Sequence, residues 1–325
     1  MRNIVVTGGA GMIGSELVYQ LISKGNRVVV LDDLSRGTVR NLSRAAAAAE
    51  DGQLDLVVRD VARCSSWEHL YETHGDDWAE IYHLAARIGG VGSMYARPYD
   101  QARNVCGDWE TIEQALACKA RLLYASTACV YPTTLQTGEK VLLLEEADVW
   151  PARPESLYGL LKLSGEEMVR AACQQYELDA TCVRMFNAVG PEFCSIDSRH
   201  VIPALVGKLL AGDEELEVWG DGTAERSFLD CRDAARALQL VMDQGPLNGE
   251  AVNIGDEIRH SVKTVAETVI AHVNPYAKIR FAPSKPAGVK TRAANVDSMK
   301  GLGWHIEHDL PAMIEYTAEV LRNAT

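Results

Sequence analysis

Tyr158 and Lys162 stand four residues apart in the run Tyr-Gly-Leu-Leu-Lys, a spacing that puts both side chains on one face of a helix. A phenol ordinarily holds its proton up to about pH 10. A neighbouring ammonium favours the phenolate, so the pair is a candidate general base. Upstream, residues 125–132 read Ala-Ser-Thr-Ala-Cys-Val-Tyr-Pro. If strand geometry persists through that run, Thr127 and Cys129 point the same way. Thr127 can then share a hydrogen bond with a substrate hydroxyl, with the Cys129 thiol beside it. Tyr and Lys four apart recur by chance, and it is their order, after a hydroxyl at a strand end, that gives them chemical weight.

A base needs an electron acceptor, and residues 4–16, Ile-Val-Val-Thr-Gly-Gly-Ala-Gly-Met-Ile-Gly-Ser-Glu, are built to hold one. Ile4, Val5 and Val6 read as a short buried strand, Gly8 and Gly11 open a tight turn, and Met12 begins a helix with apolar spacing at Ile13, Leu17 and Leu21. Glycines let the backbone approach a pyrophosphate, the helix N-terminus supplies N–H groups, and Gly14 lets the helix sit close to the sheet. A second apolar run, residues 27–31, ends in Asp32 and Asp33. An acidic side chain at that strand end holds a ribose 2′-hydroxyl and repels a 2′-phosphate, so the expected cofactor is NAD rather than NADP. Its positive nicotinamide adds to Lys162 in favouring the Tyr158 phenolate, and Lys162 can also hold the cofactor ribose.

The elements that position these groups alternate. Strand-like runs at 27–31, 54–58, 80–84, 122–125 and 180–183 are separated by helical patterns, which predicts an α/β fold, a Rossmann-type doubly wound parallel sheet. His83-Leu84-Ala85-Ala86 closes the fourth of the six runs and leads into Ile88-Gly89-Gly90-Val91-Gly92, where backbone can approach a ligand. His83 itself reads as a structural hydrogen-bonding residue. Residues 95–116 read as one long helix, and the alanine run 45–49 as a helix-favouring surface piece. After Asn187 the texture changes to longer loops. The expected division is an NAD-binding Rossmann domain over 1–186, rejoined by about 227–256, and a smaller, mainly substrate-binding domain over 187–325.

Composition excludes several classes. A chain of 325 residues with 47% hydrophobic and 24% charged side chains fits a globular enzyme. A net charge of −13 argues against nucleic acid or an anionic membrane as partner. No apolar run reaches the roughly 20 residues of a membrane span, and the N-terminus enters a strand directly, so a cytoplasmic location is expected. The eight cysteines include no C-x-x-C pair, so no metal site is expected.

The glycine spacing of Gly8, Gly11 and Gly14, with Thr127 and Tyr158-x-x-x-Lys162, resembles the extended, sugar-nucleotide-modifying branch of the short-chain dehydrogenase/reductases. The resemblance covers essentially the whole chain. It implies that Thr127, Tyr158 and Lys162 form the catalytic set, that Gly8, Gly11, Met12, Ile13, Gly14, Asp32, Asp33, Asp60, Val61, Leu84, Ala85 and Ala86 bind the cofactor with Tyr158 and Lys162, and that the 95–116 helix lies at a homodimer interface. Arg184-Met185-Phe186-Asn187-Ala188-Val189-Gly190-Pro191 is similar to the family's R-x-x-N-x-x-G-P segment at the nucleotide-sugar pocket. Arg226, after Gly220-Asp221-Gly222, and Arg292, in Gly-Val-Lys-Thr-Arg, resemble its two diphosphate-binding arginines. Gly90 and Asn187 complete the implied substrate set.

Within that branch the chain looks most like the GDP-mannose 3,5-epimerases, through Ile-Gly-Gly-Val-Gly after His-Leu-Ala-Ala, the Ala-Cys-Val-Tyr-Pro run, residues 147–152 before the catalytic helix, and Val-Trp-Gly-Asp-Gly-Thr-Ala-Glu-Arg-Ser-Phe. In them, oxidation at C4 acidifies the C3 and C5 hydrogens, and a cysteine and a lysine on opposite faces exchange them. The resemblance assigns the cysteine to Cys129. At the lysine's place, in Ser198-Arg199-His200-Val201-Ile202-Pro203, this chain carries His200, whose titration near neutrality suits it to the same work. The implied partner is a nucleotide sugar, a GDP-sugar being favoured. The alternatives are a C4 epimerase of a UDP- or GDP-sugar, and a non-catalytic NAD-sensing scaffold on the same fold. Dehydratases of the family carry Asp-Glu where Ala128-Cys129 stand, and Asp32-Asp33 disfavour an NADPH-consuming reductase.

Overall fold

In the computed structural model, residues 1–88, 98–137, 142–193, 199–285 and 288–323 are described. Gly90 and the first residues of the expected 95–116 helix lie outside them. Seven strands form one parallel sheet: β1 (Asn3–Thr7), β2 (Arg27–Asp32), β3 (Leu54–Val58), β4 (Glu80–His83), β5 (Arg121–Thr127), β6 (Ala180–Met185) and β7 (Asn248–Ile254), in the spatial order β7-β6-β5-β4-β1-β2-β3. Every pairing in it is parallel. The order reverses between β1 and β4, and the carboxyl ends of strands at such a reversal are where open α/β sheets bind ligands.

Both faces of the sheet are covered, which is why β1 and β2 are continuous apolar runs. Ile4, Val6, Val28 and Val30 point into one layer with Leu17 and Val18 of helix α1 (Met12–Ser23) and Ala234, Leu238 and Val241 of the helix Cys231–Gln244. Val5, Val29 and Leu31 point the other way, to Trp67, Leu70, Ile112 and Val169. This second layer includes α2 (Asn104–Cys118) and α3 (Leu157–Tyr176). A third buried cluster gathers Ile202, Leu205, Leu216, Val265, Val269 and Ile314, where the helices Val201–Leu210, Val262–Val273 and Leu310–Arg322 pack with the parallel strands Glu215–Trp219 and Lys278–Ala282.

The expected helix at 95–116 takes another form in its described part. Pro98–Arg103 is a 3-10 turn, and α2 runs from Asn104 to Cys118, ending at Lys119 with φ 54°. A tighter turn at a helix N-terminus is common. A second difference bears on chemistry. β5 runs on to Thr127 and stops there, and Ala128–Val130 turns into a 3-10 segment. Strand alternation therefore does not govern Cys129. Instead the Thr127 hydroxyl oxygen accepts a bond from the Cys129 N–H at 3.2 Å.

Candidate active site

Backbone builds the cofactor end. Gly8 has φ +71°, and a Cβ on it would meet Ala85 N at 2.7 Å. A Cβ on Gly14 would come 2.2 Å from Gly8 O, whereas one on Gly11 would meet only Gly8 O, at 3.1 Å, with open space beyond. Gly11 is also the N-cap of α1 and brings no side chain to cap it. An open, uncapped helix N-terminus against a turn too tight for any side chain fits a pyrophosphate.

One cavity beyond that turn is lined by Gly8, Gly11, Asp32, Asp33, Asp60, Val61, Leu84, Ala85 and Ala86, residues that lie far apart in the chain. Ile13 packs against the hydrophobic core beside α1, and Met12 lines a different cavity, between α1 and the C-terminal helix. Asp32 is buried, and its two carboxylate oxygens accept the Ala10 and Leu34 N–H groups at 2.9 Å each. Burial raises its pKa, and these two backbone bonds oppose that. Asp33 accepts from Ser35 N at 2.9 Å and pairs with Arg87 at 3.3 Å. Asp60 holds Arg103 at 2.6 Å. Sequence reading missed Arg36, Gly37, Arg87, Arg103, Asn104 and Gly107, which also line the cavity. Only Gly37 carried a signal, since a Cβ there would sit 2.7 Å from the Ala10 carbonyl.

α3 begins at Ser156, whose hydroxyl caps Gly159 N at 3.3 Å. A Cβ on Gly159 would lie 2.1 Å from Cys129 O, so this glycine lets the first turn of α3 press against the turn after β5. Tyr158 is 5% exposed. Burial pushes its phenol well above the usual value, Cys129 and Asp108 add to that, and a hydrogen bond with Thr127 opposes it. Thr127, Cys129 and Tyr158 are thus brought together. Lys162 lies on the same helix face, buried, with Nζ 3.5 Å from Asp108 Oδ1 and 4.4 Å from the Tyr124 ring centroid.

Asp108, on α2, is a further residue that sequence reading missed. Its Oδ2 accepts from Tyr124 Oη at 2.8 Å and its Oδ1 faces His83 Nε2 at 2.9 Å. Burial alone would raise its pKa, but Lys162, His83 and Tyr124 together lower it. Burial also lowers the pKa of His83. The neutral ring donates from Nε2 to Asp108, and Nδ1 accepts from the Thr7 hydroxyl at 2.7 Å.

The candidate substrate end is made of side chains. Arg292 is buried, its pKa raised by neighbours that outweigh the desolvation. Nη1 donates to Cys129 Sγ at 3.5 Å, Nε to Gln136 Oε1 at 2.6 Å and Nη2 to Glu155 Oε2 at 2.6 Å. Gln136 and Glu155 had no signal in the sequence. Arg226 lies directly beside Arg292 in a short parallel pairing, and donates to Glu225 O at 2.7 Å and to Val289 O. Asn187, with φ 42°, donates to Ser227 O at 2.8 Å and ties the end of the β6 loop to the Arg226 segment. His200 caps the helix Val201–Leu210. Its backbone N–H and its Nδ1 both meet the Glu192 carboxylate, at 2.7 and 2.8 Å, and Nε2 has no partner among the described residues.

Comparison with known proteins bears on the same elements. The model of the NAD dependent epimerase/dehydratase family matches residues 4–255. Over 305 residues the chain is 29% identical to GDP-mannose 3,5-epimerase 1 of Oryza sativa subsp. japonica, covering 93% of this chain and 76% of that protein. It is also 29% identical to UDP-glucose 4-epimerase of Mycolicibacterium smegmatis, over 99% of both. The solved structure of UDP-glucose 4-epimerase from Thermotoga maritima, with UDP-glucose, superposes with a TM-score of 0.87 at 26% identity over 99% of both chains.

Proposed function

From the premise that this chain belongs to the NAD dependent epimerase/dehydratase family, we propose that it is a nucleotide-sugar epimerase inverting C3 and C5 of a GDP-hexose by way of a C4 ketone. NAD is its cofactor, and when bound it takes up and gives back the hydrogen at the sugar C4. The chain's residues do the rest. Thr127 orients the C4 hydroxyl, Tyr158 takes its proton and returns it, and Lys162 supplies positive charge beneath the phenol.

The observation that carries the C3/C5 part is the placement of Cys129. Its sulfur has a fixed guanidinium at 3.5 Å, and it sits on the turn that touches the first turn of α3, next to Tyr158. A thiol with an adjacent cation, beside a residue that forms a ketone, suits removal of the acidified neighbouring proton. His200 supports the same reading. The Glu192 carboxylate holds Nδ1, which leaves Nε2 to give or take a proton. We assign Arg226 and Arg292 to the diphosphate, with Asn187 supporting the loop between them and the sheet. A homodimer is supported by α2 and α3, which pack together and expose Trp109 (55%) and Leu160 (51%).

The second reading, C4 inversion of a UDP-sugar, draws on the full-length match to UDP-glucose 4-epimerase. Two variants separate the readings. With GDP-mannose as substrate, Tyr158→Phe lowers turnover about a thousandfold, and Cys129→Ala lowers C3/C5 inversion at least about a hundredfold. If Cys129→Ala turns over like the parent while Tyr158→Phe is inactive, C4 inversion replaces C3/C5 inversion.

A further inference from the structure

Asp108 is a buried charged residue in the catalytic region with no part in the reaction as described so far. It is fully buried, and each oxygen of its carboxylate is occupied: Oδ1 by His83 Nε2 and Lys162 Nζ, Oδ2 by the Tyr124 hydroxyl. A buried carboxylate is costly unless it is paired and hydrogen-bonded, and this one is both. Its place beneath the lysine has a consequence for Tyr158.

We infer that Asp108 sets the base strength of Tyr158, offsetting the Lys162 ammonium so that the phenol keeps its proton until the positive ring of bound NAD adds its own charge. Two charges of opposite sign 3.5 Å apart act at a distance as a dipole, far weaker than the ammonium alone. An ammonium near a phenol favours the phenolate, and the carboxylate bound to this one offsets that pull. The direction at Tyr158 agrees, since the carboxylate contributes to holding its pKa up. Asp108 touches no substrate and is a positioning residue.

The remaining charges around Tyr158 are accounted for. The turn after β5 brings Cys129, which faces Arg292 with Glu155 behind it. β4 brings His83, whose Nε2 meets Asp108 and whose pKa burial lowers, and β5 brings the Tyr124 phenol. One turn beyond Lys162 on the same face of α3, Glu166 is bound to Arg184 of β6 and to the Ser126 hydroxyl. In the 3-10 turn before α2, Arg103 is turned to Asp60. The one charge cancelling Lys162 among these described groups is therefore Asp108. The network also reaches the phosphate turn, because His83 Nδ1 is bound to Thr7, the residue before Gly8. Tyr158 then takes the proton of the sugar hydroxyl only once the cofactor is seated, and holds it as a neutral phenol while the ketone exists.

This inference rests on the assignment of Tyr158 as the base, and its test needs no substrate. The full-length protein loaded with NAD is labelled with [13Cζ]tyrosine, the Tyr158 resonance is assigned by its loss in Tyr158→Phe, and its pH titration is compared between the parent and Asp108→Asn. Removing a nearby like charge favours the phenolate, so the expected midpoint in the variant lies below that of the parent, by about one unit. Asp108→Thr, which also removes the charge but not by an isostere, gives the same direction. An unchanged midpoint in a folded variant overturns the inference and reduces Asp108 to packing. An upward shift also overturns it, since Asp108 would then serve to hold the charge of Lys162 and not to offset it. If the titration behaves as expected but no sugar nucleotide is converted, it is the proposed reaction that fails.

Discussion

The cofactor end and the proposed sugar end of this molecule are made of different materials. At the cofactor end the decisive groups are backbone: three glycines, an uncapped helix N-terminus and the carboxyl ends of adjacent parallel strands. At the sugar end they are side chains brought together over long separations, as in Arg292 meeting Cys129, Gln136 and Glu155. A site of the first kind depends on what is absent, since a Cβ on Gly8 or Gly14 would run into backbone. A site of the second kind depends on charge balance and tolerates changes of shape better than changes of charge geometry. On the proposed assignment, the difference separates a backbone-built half that holds the cofactor from a side-chain-built half that selects the substrate.

That contrast can be broken at three places. The largest effect is expected from Gly14→Ala, whose Cβ would lie 2.2 Å from Gly8 O, a backbone atom that cannot step aside. NAD affinity measured by calorimetry should fall at least about tenfold, or about 1.4 kcal/mol, and a variant that binds NAD like the parent contradicts the backbone account of this end. Next comes Arg292→Lys, which keeps the charge and loses the planar fork that reaches Cys129, Gln136 and Glu155 at once. About a tenfold loss of kcat/KM with unchanged NAD binding is expected, an effect of about 1.4 kcal/mol. Equal losses of both would erase the division between the two ends.

The smallest effect concerns the His200 clamp. Burial alone would raise the pKa of Glu192, but its bonds to His200 and the nearby Arg36 lower it overall. A carboxylate whose folded value is depressed contributes stability above its unfolded value, about 4.3 for Glu, and loses it as pH falls through the folded value. Glu192→Gln should therefore lower Tm at pH 7 by a few degrees at most and by less near pH 3. A Tm difference of the same size at both pH values would show that the clamp is held by packing.

The same contrast explains what could be read in advance. The Rossmann sheet, its strand runs and most of the cofactor cavity follow from local patterns, because Gly8, Gly11 and Asp32 act within a few residues of where they stand. Met12 and Ile13 show a limit of the same kind: helix periodicity gives the face each side chain occupies but not which cavity lies against it. Cys129 illustrates a different limit. Its neighbourhood was legible as a motif, yet the strand ends at Thr127, so its direction is set by a 3-10 turn that no alternation rule describes. Asp108, Glu155 and Gln136 were invisible because each matters through one partner more than 50 positions away, Lys162 for the first and Arg292 for the others. An isolated Asp inside an amphipathic helix carries no sign that it will be buried beneath a lysine.

The central claim is that this chain forms a C4 ketone and exchanges the hydrogens beside it. Its most direct measurement is incubation of the NAD-loaded protein with GDP-mannose in deuterated water, with mass spectrometry and NMR of the recovered sugar nucleotide. Deuterium at C3 and C5 is the predicted result, reduced at least about a hundredfold in rate by Cys129→Ala. Conversion to an epimer with no deuterium on carbon would contradict it, because inversion at C4 alone returns the same hydrogen and leaves C3 and C5 untouched.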